Sequence, residues 1–365
     1  MKTALTFRML LAVWLLIAIV AACARWQPTA GEGSLSLVIP GPGLPTKTLS
    51  DNTAYAYEEA VNQVQLLLFK GGQRYDYLRL DAASVNFPYT KQYPALGAGV
   101  YQIFAVANGP DLQSVTTEAA LRETTISLTD CGLSEATGFV MMAGEAVQIS
   151  PGEVSQVTIP MQRYVARVRV TIIRNRLPAA YAEGGAMTLK GIFLINALQS
   201  WNLGTTAVPA GWVNLGGRVA GRASSTDSQD YIRSAEQVPA ACRSHLYHTL
   251  SVPLPRGQDH VPTGTCLYSF PNAVVQDHPG PDATESTGAP TRLVVLARVN
   301  GADWWYPVTL VHEGKGLERN TTYDVALTIC ASGSADPNEP VISAQLTAHI
   351  SCSSWTDGLD YSEPL

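Results

Sequence analysis

Positive charge is in short supply. Lys and Arg number 24 against 30 Asp and Glu, a formal charge of −6 over 365 residues. A nucleic-acid binder needs a basic footprint, and none is present, so no nucleic-acid partner is expected. Charged residues of all kinds reach only 15%. Long helical periodicity is missing after residue 30, and no repeat occurs at solenoid spacing. Six cysteines are present without a CxxC, which points to neither a disulfide framework nor a zinc knuckle. There is no Gly-x-Ser-x-Gly elbow and no phosphate-binding glycine loop. Nothing calls for a cofactor or a metal.

What the chain has in quantity is glycine and proline, 30 and 23 residues. These punctuate many short apolar runs, an all-β profile. The runs divide into two β-sandwich domains, roughly 55–175 and 176–365. In the first, VNQVQLLLFKGG (61–72), GVYQIFAVANGP (99–110), GFVMMAGEAVQI (138–149), SQVTIPM (155–161) and YVARVRVTII (164–173) read as strands. TTEAALRE is a short helix or turn. In the second, MTLKGIFLINAL (187–198) and CLYSFPNAVV (266–275) are strands. Residues 291–311 form a hairpin about Asn300-Gly301. The clearest alternation in the chain comes last, with Ile342, Ala344, Leu346, Ala348 and Ile350 on one face. Residues 199–262 are loop-rich.

The N-terminus is a targeting signal, residues 1–22. Lys2 and Arg8 precede the apolar MLLAVWLLIAIV, which is well short of the roughly 20 residues a spanning helix needs. Val20-Ala21-Ala22-Cys23 then gives an apolar residue, two small residues and a thiol. That order suits lipid attachment at Cys23 and an exported, membrane-tethered chain. A tether (23–54) follows, holding one isolated alternating strand, 34–39. Leu35, Leu37 and Ile39 share one side of it. Pro40, Gly41, Pro42, Gly43 and Pro45 stop the strand at once. Lys47 is the single basic residue between Arg25 and Lys70, and it lies in this breaker-rich link.

Residues that suggest other chemistry are scattered. His245 and His248 stand three apart, but their flanks do not favour a helix that would aim both at one metal. Asp259-His260 and Asp277-His278 would suit a hydrolase triad that has no nucleophile elbow to serve. SADPNEP (334–340) is oxygen-rich without full calcium-loop spacing and reads as a turn. Trp304-Trp305 on a strand sends one indole inward and one outward. With 199–262, the outward one offers a surface for glycan or a host protein. Of Cys131, Cys242, Cys266, Cys330 and Cys352, the pair Cys242 and Cys266 could form a disulfide in an oxidising envelope. Cys330 and Cys352 fall on different faces of their strands.

Several segments together resemble the Bacteroidales fimbrillins, the pilins of type V pili. The first-half strands match in order and spacing. The Met-x-Gly-Glu segment before Arg163, Ala166 and Arg167 is the most specific part. In the second half, Arg319-Asn320, Tyr323, the Gly-Ser-x-Asp-Pro turn and a closing strand ending at Trp355 carry the likeness. The resemblance implies two transthyretin-like β-sandwiches with Greek-key-type antiparallel sheets and a structural, non-enzymatic role. It also implies a lipoprotein precursor at the outer membrane, cut after a basic residue by a trypsin-like surface protease. The first strand then leaves, and a donor strand from another fimbrial subunit fills its groove. On this chain Lys47 would be the cut site, 34–39 the leaving strand and about 341–365 the donor. The family's best-known cut site is an arginine. An uncut subunit would keep its lipid and serve as an anchor.

Overall fold

QVQLLLFK becomes β2 (Gln63–Lys70), and six consecutive residues of it are buried. A strand covered on both faces reads in this way, as an apolar run without alternation. The computed structural model describes residues 31–41, 56–84, 86–204, 211–276 and 288–355, and β2 lies in a five-stranded sheet of its first half. The order there is β3 (Gln73–Asp81), β2, β5 (Gly99–Ala107), β7 (Met141–Ile149), β9 (Gln162–Arg163). On one face of the sheet, Val64, Leu66, Leu68, Tyr101 and Ile103 form a core with a second, three-stranded sheet. That sheet runs β4 (Tyr89–Gly97), β1 (Glu32–Ile39), β8 (Val154–Thr158). On the other face, Leu67, Phe69, Phe104 and Val106 join the larger core of the second half.

The second half is again two sheets. One is β13 (Tyr247–Leu254), β11 (Met187–Ile195), β16 (Arg292–Val299), β17 (Ala302–Thr309). The expected hairpin joins β16 to β17. Asn300 and Gly301 sit at φ 52° and 75°, the backbone a two-residue type I′ turn requires. The other sheet is β14 (Asp259–His260), β10 (Ala166–Asn175), β18 (Thr321–Ile329), β19 (Leu346–Ser354), with β15 (Cys266–Ser269) also on β10. Two pairings are parallel, β1 with β8 and β10 with β18.

Three expectations change. The strand 166–175, counted with the first half, pairs wholly in the second, because β10 has β18 on one side and β15 and β14 on the other. Cys242 and Cys266 form no disulfide. The five cysteines among the described residues are free thiols. The closing strand begins at Leu346, not Ile342. Residues 342–345 turn, with the amides of Gln345 and Leu346 donating to the Ile342 carbonyl. The Gln345 side chain locks that turn by accepting from the Ile342 amide and donating to the Ser332 carbonyl.

The halves are stitched together. β6 (Thr125–Ser127) pairs with β12 (Ser200–Asn202) across them. Leu112, Leu121, Leu128 and Phe139, from the segment between β5 and β7, pack into the second-half core. The expected short helix is Glu118–Glu123, capped by the Thr117 hydroxyl, which accepts from the Ala120 amide.

Candidate functional site

β1 is the feature around which the first half is organised. Its burial alternates strictly, and Leu35, Leu37 and Ile39 are fully buried. They fill a trough floored by Val64, Leu66, Leu68, Tyr101 and Ile103. Burying three such side chains is worth roughly 5–9 kcal/mol by area. The backbone is paired on both sides, antiparallel to β4 with Leu37 opposite Lys91, and parallel to β8 with Leu37 opposite Val157. Gln92 on β4 donates to the Ser36 hydroxyl on the exposed face.

The N-terminal end of β1 is clasped by the turn before β8. The Gly152 amide donates to the Glu32 carbonyl at 2.7 Å, and the Ser34 amide donates to the Glu153 carbonyl at 2.9 Å. At the far end the Ile159 amide donates to the Val38 carbonyl. Removal of β1 would separate β4 from β8 and open a two-sided slot, with unpaired N–H and C=O groups along both walls. Such a slot takes an extended strand by β-augmentation, with affinity from the backbone and selectivity from pockets for alternate side chains.

Residues 32–190 match the family model for fimbrillin-A associated anchor proteins Mfa1 and Mfa2, a match that starts at the first residue of β1. The fold is fimbrillin-like. A fimbrilin of Porphyromonas gingivalis W83 shares its fold with a TM-score of 0.61 at 14% identity, covering 90% of this chain and 98% of that one. A proposed cell adhesion protein of Bacteroides eggerthii does so with a TM-score of 0.57 at 19% identity, covering 89% and 97%. The tip fimbrial protein Mfa3 of Porphyromonas gingivalis, truncated at its C-terminus, gives 0.50 at 13% identity, covering 89% and 100%. No curated protein sequence matches. The all-β sandwich architecture is thus shared with fimbrillins along nearly the whole chain.

Four of the residues that carry the fimbrillin resemblance, Arg163, Arg167, Asn320 and Trp355, meet at the junction of the halves. Glu58, on the helical turn Ala56–Glu59, is 1% exposed. Its carboxylate accepts from Arg167 Nη1 at 2.7 Å and from the Tyr268 hydroxyl at 2.6 Å. Its carbonyl accepts from Arg163 Nε at 2.8 Å. Both guanidinium groups lie 4.8 Å from the Trp355 ring centre. Tyr268 stacks on the same indole, and Phe139 meets it edge-on. Asn320 accepts from the Arg163 amide through its side chain and from the Trp355 amide through its carbonyl. The Tyr323 hydroxyl donates to the Gly316 carbonyl and accepts from the Glu318 amide. Burial dominates here and lowers the Arg163 guanidinium to about 10, with Glu58 acting in the opposite direction.

β19, the donor candidate, is an edge strand held by β18 alone on its sheet. Leu346 is buried and Ile350 half-buried, whereas Ala348 is exposed. Ile342 and Ala344 are exposed in the preceding turn. Cys23, Lys47 and residues 356–365 lie outside the described residues, as do Asp277 and His278.

The remaining candidates among the described residues take the following positions. His245 Nε2 is 2.6 Å from the Cys131 carbonyl, and His248 lies on β13. Among the described residues no three His, Cys, Asp or Glu cluster as metal ligands would. Asp259 pairs with Arg174 and Arg176 rather than with a histidine. In the 334–340 turn the Asn338 side-chain oxygen accepts from Arg292 and Asn196, and Asp336 accepts from Tyr231. Trp305 is buried, donating to the Ile232 carbonyl, and Trp304 is half-buried.

Proposed function

We propose that this chain is a structural subunit of a cell-surface fimbrium, exported as a lipoprotein through Cys23 and assembled by strand exchange in the β1 slot. Cleavage at Lys47 by a trypsin-like surface protease frees β1. A strand from another fimbrial subunit then occupies the slot, and the resulting fibre supports adhesion. The observation that carries this reading is the central place of β1. A strand that forms both ladders of its sheet and supplies Leu35, Leu37 and Ile39 to the core leaves a specific vacancy when it departs. Its chain connection to the rest runs through the breaker-rich link, where a cut would sever it. The partners are other fimbrial subunits and, before processing, the outer membrane. The residues around β19, Ile342, Ala344, Leu346, Ala348 and Ile350, are the donor candidates on this chain.

The test is incubation of the purified precursor with trypsin, followed by N-terminal sequencing and electron microscopy. A new N-terminus at residue 48 together with filaments supports the subunit reading. Resistance at Lys47 with a monomer throughout overturns it. That second outcome would favour a retained anchor that keeps β1 and its lipid. The anchor reading draws on the description of the matching family model, which names anchor proteins, and on a lysine at the cut position.

A further inference from the structure

Gly33 marks a constriction of the β1 slot. A Cβ built there would stand 2.3 Å from the Ser150 carbonyl oxygen and 2.8 Å from Ile149 Cγ2, with the Glu153 carbonyl oxygen at 3.2 Å. Two of the three obstacles are backbone, and the turn they belong to is tied to β1 itself through Glu32 and Ser34. The obstacle cannot move aside as a flexible side chain would. The register also shifts between Gly33 and Leu35 on the β4 side, so the strand bends where it passes the turn. An occupant of this slot therefore needs alternate apolar side chains at the levels of Leu35, Leu37 and Ile39, and no Cβ two residues before the first of them.

We infer that the slot selects a strand of the pattern glycine, any residue, then three alternating apolar residues, and that it excludes this chain's own last strand. The inference rests on the strand-exchange reading above and narrows its partner. In the donor segment the residue two places before Leu346 is Ala344, and the one before Ile342 is Pro340. Read in the opposite direction, Ile350 is preceded by Cys352 and Leu346 by Ala348. Each of these carries a Cβ. Gly358 is the one glycine after residue 341, and neither direction from it gives alternate apolar residues: Asp360 and Ser362 lie one way, Thr356 and Ser354 the other. The last strand of a second copy, the segment offered as donor, thus fails at the Gly33 level in both polarities. The occupant that fits is a different subunit whose donor strand holds a glycine at that step. The subunit joins unlike partners rather than copies of itself.

The experiment uses the full chain with a site-specific protease sequence inserted between residues 41 and 56, so that β1 release does not depend on Lys47. After cleavage and removal of β1, synthetic peptides are titrated into the slot. The 32–39 peptide should bind. Its Gly33→Ala form should bind at least tenfold more weakly. The 344–351 peptide should bind no better than that form, and Ala344→Gly should improve it at least fivefold. Equal affinity of the 32–39 peptide and its Gly33→Ala form overturns the inference, as does tight binding of the unaltered 344–351 peptide. In the uncut protein, Gly33→Ala should speed amide exchange in residues 34–39 at least tenfold, whereas Ser36→Ala should not. Unchanged exchange counts against the inference. Failure of trypsin at Lys47 would remove the proposed processing and leave these results standing.

Discussion

Glu58 and Arg167 bury their charges against each other, 2.7 Å apart with side chains 1% and 8% exposed. They join the helical turn that follows the tether to the first strand of the second half. The Tyr268 hydroxyl completes the carboxylate's shell, and the Trp355 indole covers the guanidinium. A buried pair of this kind is costly to break from one side, because the remaining charge stays in the interior. Glu58→Ala is expected to destabilise the protein by about 3–5 kcal/mol. Urea denaturation checks it, and a shift under 1 kcal/mol would show that water reaches Arg167 once Glu58 is gone.

Leu37 sits mid-strand and fully buried in the slot. Leu37→Ala should cost about 2–5 kcal/mol by transfer and cavity terms. Leu37→Asp should expel β1 altogether, since it places a charge opposite Leu66 and Ile103 in a dry core. Hydrogen exchange across 32–39 reports both, with Leu37→Asp near the unprotected rate. Retained protection in Leu37→Asp would mean that the ladders hold β1 without its side chains.

Trp355 fixes the end of β19 through two cations and two aromatic rings. Trp355→Ala is expected to cost about 3–5 kcal/mol and to loosen residues 346–354 selectively. Ile342, 66% exposed in the turn before the strand, is the contrast. Ile342→Ala should fall within about 0.5 kcal/mol of the parent. Thermal melts and exchange protection of β19 separate the two.

Stability should decline on mild acidification. Burial lowers the pKa of His245, against the opposing pull of the Cys131 carbonyl. Burial also lowers His248, with His260 adding to it, and lowers His260 itself. In the unfolded chain these imidazoles protonate near about 6.5. In the fold they do so only at lower pH. The unfolded state therefore binds more protons in that window, and stability falls as pH drops below the unfolded value. Urea midpoints at pH 7.5 and 5.0 should differ in that sense, and His245→Gln should reduce the difference.

The thiols should be slow to react and indifferent to reductant. Burial pushes Cys131 up to about 12, and chiefly burial pushes Cys266 up to about 11. Nucleophilic attack needs the thiolate. Ellman titration of the native protein should leave Cys131 and Cys266 unmodified until denaturant is added, and dithiothreitol should not shift the melting temperature.

Strand alternation made β1 legible at once, because one of its faces is wet and the other dry. β2 was equally plain, from its unbroken apolar run. β3 and β13 were missed. QRYDYLRLD buries none of its residues fully, so it shows no dry face to the eye. YHTLSVPL does set Leu250, Val252 and Leu254 on one side, in or against the larger core, but this short alternation sits inside the loop-rich 199–262 stretch. The placement of β10 was lost for another reason. Arg167 and Arg169 look solvent-facing in sequence. In the fold Arg167 is buried on Glu58, and Arg169 forms a two-pronged pair with Asp324, both partners from distant segments. The Gly33 constriction had no sequence signal beyond the glycine itself, since the carbonyls it avoids belong to the turn Ser150–Glu153, far along the chain. The over-long last strand shows the opposite error: Ile342 and Ala344 keep the alternation, but Gln345 turns the backbone there.

The two ladders of β1 also decide how the slot answers force. A tug along the strand axis acts crosswise on the inter-strand bonds. Bonds to β4 and β8 are then strained together instead of parting one by one from an end. A strand seated there would resist axial pulling as a single unit, and would come away far more easily if peeled sideways from either tip.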